Sequence, residues 1–520
     1  MITTDAVQLM EDEMSETKEH FDVLIVGAGI SGISAGYHLQ TMSPNKSWAI
    51  LEARENLGGT WDLFRYPGIR SDSDMHTLGF RFKPWKQAKS IADGPAILEY
   101  LEETVTEYDI REKIKFGHSV SNASWSSKDS NWTLEIHTAD SDQPKRLSCN
   151  FLYMCSGYYS YKGGFTPDFD GVASFKGKVV HPQDWPEDLD YADKEVVVIG
   201  SGATAMTLVP AMASTAKHVT MLQRSPTYVV SRPDEDRVAN FLRKVLPDKV
   251  AYWITRKKNI FRQGFVYKKT RTKPDEVKKL LLQAVQEELG EDYDIEKHFT
   301  PAYNPWDQRL CLLPNGDLFK SIKSGDASVV TEHIDSFVED GLLLTSGEVL
   351  KADIIVTATG LQLVTLGEMD FFVDGVPLDF SKTWTYKGVA YSDVPNLASC
   401  FGYVNASWTL KADLTSEYVC RLLNHMEETN STQCTPRLRE EDSDMPQRQW
   451  IEDFPAGYMQ RMMPLLPRQG DREPWLHTQD FQRDIKLISK ASVDDGVMMF
   501  TNPQSDSLPS SEHQTEALIS

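Results

Sequence analysis

The stretch FDVLIVGAGISGISAGYHL, from Phe21 to Leu39, followed by WAILEA from Trp48 to Ala53, decides the fold. It reads as a strand, a Gly-rich turn, a helix and a second strand. The turn carries Gly27-x-Gly29-x-x-Gly32. Gly27 permits the tight turn, Gly29 lets backbone approach a pyrophosphate, and Gly32 lets helix pack on strand. The phosphates then meet free N–H groups at a helix N-terminus. Glu52 lies twenty residues after Gly32, at the end of the next strand. An acid there accepts from ribose hydroxyls and repels a 2′-phosphate, so the site suits FAD or NAD rather than NADP. The bland alternative is a plain Gly-rich turn. Strand, helix and acid all in register outweigh it.

The same pattern returns at EVVVIGSGATAMTLVPAMA, Glu195 to Ala213, and HVTMLQRS, His218 to Ser225. Here the glycine motif is Gly200-x-Gly202-Ala203-Thr204-Ala205, with alanine in the third place. No acid follows the next strand; Arg224 and Ser225 stand there instead. A guanidinium and a hydroxyl are what a 2′-phosphate needs, which reads as NADP. The alternative for Arg224 is a solvated strand-end residue. Two sites with opposite charge logic imply a flavin and a nicotinamide in one chain, and hydride transfer from NADPH to FAD. Phe151 to Gly157 (FLYMCSG) and Asp353 to Gly360 (DIIVTATG) both read as buried strands ending in small residues, where backbone can approach closely.

Length and composition bound the rest. A chain of 520 residues implies several domains, and 40% apolar with 25% charged residues describes ordinary globular cores. Lys plus Arg is 54 and Asp plus Glu is 76, a formal net charge of -22, which argues against nucleic-acid binding. The six cysteines form no C-x-x-C pair. That disfavours a metal ribbon, a dithiol centre and a disulfide framework, and a reduced cytoplasmic setting is the simplest expectation. The first residues have neither the basic nor the apolar region of a signal peptide. The long uncharged runs Val23–Asn45 and Val196–Ala216 are broken by Gly, Ser and Thr, and read as strand–turn–helix rather than membrane spans. From Arg237 to Lys273 the charge inverts, with about twelve basic residues against one acid and aromatics interleaved. The bland account is a solvated helical face; the sharper one is peripheral docking to anionic lipid.

Several motifs resemble one family. Phe175-x-Gly177-x-x-x-His181-x-x-x-Trp185-Pro186 is similar to the fingerprint of Baeyer–Villiger monooxygenases, class B flavoproteins. Gly58-Gly59-Thr60-Trp61, then Tyr66-Pro67-Gly68 and Asp72, resembles a second signature, and the ATG ending at Gly360 fits as well. RYPGIRSDSD (Arg65 to Asp74), NPWDQRLCLLPNGDLFK (Asn304 to Lys320) and NASWTLKADL (Asn405 to Leu414) resemble the subgroup containing the ethionamide-activating monooxygenase. The resemblance covers residues 20–480. It implies FAD and NADPH as cofactors, with one oxygen atom from O2 inserted beside a ketone carbonyl to give an ester or lactone, through a C4a-peroxyflavin. S- or N-oxygenation of sulfides, thioamides or amines is the alternative with the same cofactors.

The resemblance also assigns residues. Arg309 matches the active-site arginine, suited by its permanent charge to stabilise an anion. Asp72 matches the acid that positions it. Gly59, Thr60, Trp61, Asp72 and Gly360 join the cofactor-binding set. His181 and Trp185 belong to the linker rather than to bond-making. Trp408 is either a pocket wall or an ordinary buried aromatic. Many family members carry lysine just before the arginine, where this chain has Gln308, so either its preference for NADPH over NADH is narrower or another basic residue compensates.

The expected fold is α/β, with two Rossmann-like dinucleotide-binding domains, the NADP domain nested within a discontinuous FAD domain, and a helical insert. The expected divisions begin with a disordered tail at 1–19 and the leading half of the FAD-binding domain at 20–165. A linker follows at 166–186, then the NADP-binding domain at 187–350, with its helical insert at 234–301. The returning half of the FAD-binding domain spans 351–500, and a second disordered tail 501–520.

Overall fold

A computed structural model describes residues 19–308, 310–452 and 457–502. Of the two terminal stretches read as disordered, all but Glu19, Thr501 and Asn502 lie outside those residues.

The first sheet forms around β1 (Glu19–Val26). Val23 to Val26 are all buried, as a central parallel strand covered on both faces requires. The chain then makes α1 (Ile30–Met42) and β2 (Trp48–Leu51), which lies parallel to β1. Helix α2 (Gly94–Glu107) packs its Ile97, Leu101 and Val105 into the same core. Next come β3 (Ile114–Lys115), β4 (Ser119–Ser126), β5 (Asn131–Thr138) and β6 (Ser141–Met154). Strand β5 alternates: Trp132, Leu134 and Ile136 are buried while their neighbours are more exposed. Strands β4, β5 and β6 pair antiparallel, and Leu147 to Met154 of β6 pair parallel with β1 on the other side.

The second sheet is wholly parallel. It uses β7 (Lys178–Val180), β8 (Glu195–Ile199), β9 (His218–Gln223), β10 (Ala327–Thr331) and β11 (Ile354–Thr357), in the order β10-β9-β8-β11-β7. It therefore draws one edge strand from the 166–186 segment and one inner strand from the start of the 351–500 segment. Helix α3 (Ala203–Ala213) covers it. A three-stranded antiparallel sheet over Ile334–Lys351 packs beside it. Between β9 and β10 the 234–301 region holds α4 (Arg237–Val245), α5 (Asp248–Thr272) and α6 (Pro274–Leu289).

The chain then returns to the first sheet. Strand β12 (Asp370–Val373) pairs with β4, β13 (Val376–Pro377) with β12, and β14 (Leu397–Ser399) with β6. Helix α7 (Trp408–Glu428) packs on α1, where the Ser34 hydroxyl donates to Asp413 at 3.1 Å. The fold is thus α/β with one nucleotide-type lobe nested in the other. The two crossings between lobes, Tyr159–Gly164 and Leu361–Leu363, pair antiparallel as a ribbon. No helix among the described residues is long and apolar enough to cross a membrane.

Candidate active site

The first glycine turn is built by backbone against backbone. Gly27 donates to Leu51 O at 2.7 Å, and its φ of +104 belongs to the region that favours glycine. A Cβ there would lie 2.6 Å from Cys155 O, at the small-residue end of β6. A Cβ on Gly32 would lie 1.9 Å from Gly27 O, so α1 can start against the turn only with glycine at that position. The Gly58–Trp61 segment covers the turn: Gly58 donates to Ala28 O at 3.0 Å, and a Cβ on Gly29 would sit 3.6 Å from Gly59 Cα. Glu52 is buried at the tip of β2. Ala28 N–H donates to one of its oxygens at 2.7 Å and Arg54 N–H to the other at 3.0 Å. Burial pushes the carboxyl above its usual range, and the two N–H donors pull it back. Each oxygen keeps a further lone pair, which a ribose hydroxyl can fill.

The second turn repeats the construction. Gly200 donates to Leu222 O at 2.8 Å, and a Cβ there would lie 2.3 Å from Ala358 O. Helix α3 starts from Gly202, with Met206 N–H donating to its carbonyl at 3.0 Å. Ala205 is fully buried on the sheet. The Ser201 hydroxyl donates to Ser225 O at 3.0 Å, which holds Arg224 and Ser225 beside the turn. Both are exposed, and no atom lies within 4 Å of where a Gly202 Cβ would be.

The two turns share a cleft. A cavity of about 270 Å³ is lined by Gly27, Gly29, Glu52, Gly59, Thr60, Trp61 and Asp72, and by Ala203 and Thr204 from the second turn. Tyr66 bridges the halves: burial pushes its hydroxyl up to about 12, and it hydrogen-bonds Thr204. A second cavity of about 530 Å³ adjoins the first and shares Asp72, Ser73, Leu312, Val404 and Ala406 with it. Asp72 thus stands at the junction, half-buried.

Other sequence-selected residues lie apart from this cleft. Gly32 and Ala205 serve helix packing; Gly200 and Gly202 form the second turn, Arg224 and Ser225 flank it, and none of these lines either cavity. Arg309 lies outside the described residues; Trp306 and Leu310 on either side of it line the larger cavity. Gly360 meets His181. The His181 Nε2 lies 3.1 Å from Gly360 O, and Gln183 N–H donates to Nδ1 at 3.1 Å. Gln183 Nε2 donates to Ser160 O at 2.8 Å, so the fingerprint segment grips both crossings of the ribbon. Burial lowers the His181 pKa below its usual value.

Sequence reasoning missed several walls. Tyr161, Tyr403 and Tyr458 line the smaller cavity, and so does Arg70, whose guanidinium pairs with Asp317. Trp408, for which the sequence left pocket wall and ordinary buried aromatic open, lines it as well, stacked on Tyr158 at 5.1 Å and donating to the Ser31 hydroxyl at 2.7 Å. Arg70, Tyr161, Tyr403 and Tyr458 come from separate parts of the chain, so no local spacing announces them.

Comparison with known proteins agrees with this geometry. The flavin-binding monooxygenase-like family matches residues 90–292, and the NAD(P)-binding Rossmann-like domain matches residues 25–93. The chain is 53% identical over 483 residues to the FAD-containing monooxygenase EthA of Mycobacterium tuberculosis, covering 93% of this chain and 98% of that protein. It is 49% identical over 484 residues to a probable FAD-binding monooxygenase, AlmA, of Acinetobacter baylyi, covering 93% and 96%. Among solved structures, an oxidized steroid monooxygenase bound to NADP aligns with TM-score 0.68 at 23% identity, covering 81% of this chain and 88% of that one. Cyclohexanone monooxygenase from Rhodococcus sp. Phi1 bound to NADP+ aligns with TM-score 0.66 at 20% identity, covering 82% and 87%. These structural likenesses are likenesses of fold.

Proposed function

The chain belongs to the flavin-dependent monooxygenase family of its FAD-containing relatives, and from that premise we propose that it inserts one oxygen atom of O2 beside a ketone carbonyl at the expense of NADPH. The balanced reaction takes ketone, O2, NADPH and a proton to ester or lactone, NADP and water. The observation that carries this reading is the single cleft, where the first turn with Glu52 and the start of the second turn line one cavity that reaches Asp72.

FAD belongs at the first turn. The Gly27–Gly32 backbone and the N-terminus of α1 take its pyrophosphate, Glu52 takes its ribose, and Gly59, Thr60 and Trp61 close over it. NADPH belongs at the second turn, with Arg224 and Ser225 on its 2′-phosphate and Gly200 to Ala205 on its pyrophosphate. When bound, the pair supplies a hydride and the two-electron activation of O2. The protein's own role is positioning and electrostatics. Arg309 stabilises the negative charge that develops on the carbonyl oxygen, and Asp72 orients its guanidinium. Trp61, Tyr158 and Trp408 present apolar ring surface to the cleft and exclude water.

The test uses the FAD-loaded protein, NADPH and isotopically labelled O2, with a simple ketone and a simple sulfide in separate vessels. Label in an ester supports the reading. Label only in a sulfoxide would reassign the chain to S-oxygenation. NADPH consumption matched by hydrogen peroxide, with no labelled product, would overturn oxygenation itself. Arg309→Ala should abolish ester formation while leaving bound FAD in place.

A further inference from the structure

Helix α5 is inverted relative to an ordinary surface helix. Its inward side is polar: Arg256 is buried and donates to the carbonyls of His76, Thr77 and Gly79 at 2.7–3.0 Å, and Asn259 donates to Asp74 at 2.9 Å. Its outward side is aromatic. Trp253 is 61% exposed, Phe261 76% and Phe265 62%. Lys249, Trp253, Lys257, Phe261 and Phe265 recur every four residues, so they run along one side of the helix. The Phe261 and Phe265 rings stack with centroids 6.5 Å apart. Helix α4, in contact with α5, adds exposed Val238, Phe241 and Val245. Among the described residues, every exposed Phe or Trp lies on these two helices.

The charge of this segment is opposite to that of the molecule, and Lys249, Lys257 and Lys268 are exposed on it. From Arg237 to Lys273 there are twelve basic residues and one acid, Asp248, a local charge of 12 − 1 = +11. The whole chain carries -22, so the remainder carries −22 − 11 = −33. Acids return at Asp275 and Glu276, at the start of α6. Lysines one turn from exposed aromatics suit a bilayer interface, where rings sink among acyl chains and ammonium groups stay with the lipid phosphates. A second copy docking face to face would set two such positive faces against each other.

We propose that α4 and α5 form a docking face for an anionic lipid surface, with Phe241, Trp253, Phe261 and Phe265 entering the interface and Lys249, Lys257 and Lys268 pairing with acidic headgroups. The strongly negative remainder is repelled by the same surface, which fixes the orientation of approach. Lys258, Asn259 and Arg262, on another side of α5, line the larger cavity, so docking brings the candidate site within a helix diameter, about 10 Å, of lipid. Docking is independent of which oxygenation the site performs, because it needs no turnover.

The experiment is vesicle flotation of the full-length, FAD-loaded protein. One set of vesicles is equal parts phosphatidylglycerol and phosphatidylcholine, the other phosphatidylcholine alone, both at about 50 mM salt, where screening is weak. The protein should float with the acidic vesicles only and be released at about 0.5 M salt. The triple variant Lys249→Glu, Lys257→Glu, Lys268→Glu should bind about a hundredfold more weakly. The variant Trp253→Ser, Phe261→Ser, Phe265→Ser should bind at least about tenfold more weakly. Both should keep the unmodified rate of NADPH oxidation, which also shows that they fold. Absence of flotation with acidic vesicles at low salt would overturn the proposal. So would equal binding to the neutral vesicles, or a concentration-dependent dimer that both variants abolish.

Discussion

At Gly27 and at Gly200 the same backbone problem is solved with the same components. Each glycine donates to the carbonyl at the end of the next strand, and each has a small-residue strand end pressed against the place a Cβ would occupy. The turns then diverge. The first needs glycine again at position 32, is roofed by Gly58 to Trp61, and holds a buried carboxylate between two N–H donors. The second keeps a methyl at Ala205, leaves Gly202 uncovered and ends in exposed Arg224 and Ser225. An enclosed turn suits a cofactor that stays through many cycles. An open one suits a nucleotide that must come and go with each turnover.

The largest expected effect strikes the enclosed turn. Gly32→Ala puts a Cβ 1.9 Å from Gly27 O, and the clash should cost about 3 kcal/mol or more and yield protein without flavin, read from its absorbance ratio on purification. Retention of full flavin would erase the contrast between the turns. Arg224→Ala strikes the open turn. It should raise KM for NADPH by about 30-fold, as loss of a charge-assisted contact implies, and leave KM for NADH and the flavin content unchanged. Equal KM values for both nucleotides in the unmodified protein would remove Arg224 from this role.

The junction between the lobes should respond to pH. The neutral His181 ring meets both partners when Nε2 carries the proton, donating to Gly360 O, while Nδ1 accepts from Gln183 N–H. Its pKa is lowered in the fold, mainly by burial, so the unfolded chain takes up the proton first. Stability from this contact is present above the unfolded value near 6.5 and is lost as pH falls from there through the lowered folded value. His181→Gln should flatten that region of a Tm-against-pH curve and cost about 1 kcal/mol at neutral pH. The smallest effect belongs to Ala205→Gly, the mirror of the first substitution. It should cost about 1 kcal/mol at most in thermal unfolding and leave NADPH use intact.

What could be read in the residues beforehand follows from locality. The glycine motifs, Glu52 and Arg224 each lie within one strand–helix–strand unit, so spacing alone picks them out. The cleft walls do not: Tyr66 meets Thr204 and Trp408 meets Tyr158 only because two lobes and a returning segment converge. Strand exchange is equally nonlocal, since Lys178–Val180 has no pattern that says which sheet it will join. Helix α5 carries a different lesson. Its residues show basic side chains interleaved with aromatics, but the side that packs inward is chosen by the carbonyls of His76, Thr77 and Gly79, which take the guanidinium of Arg256 and leave the aromatic side outward.

The ribbon of Tyr159–Gly164 and Leu361–Leu363 has a consequence for how such a chain can be rebuilt. Gly164 faces Leu361 and Tyr159 faces Leu363, so everything between enters and leaves its host through one doorway. A segment whose two ends already touch behaves as a cassette: it can be exchanged for a relative's segment without stretching the chain on either side. Such an exchange must still reproduce the contacts that the segment makes back to its host, Arg256 to the carbonyls of His76, Thr77 and Gly79 and Asn259 to Asp74.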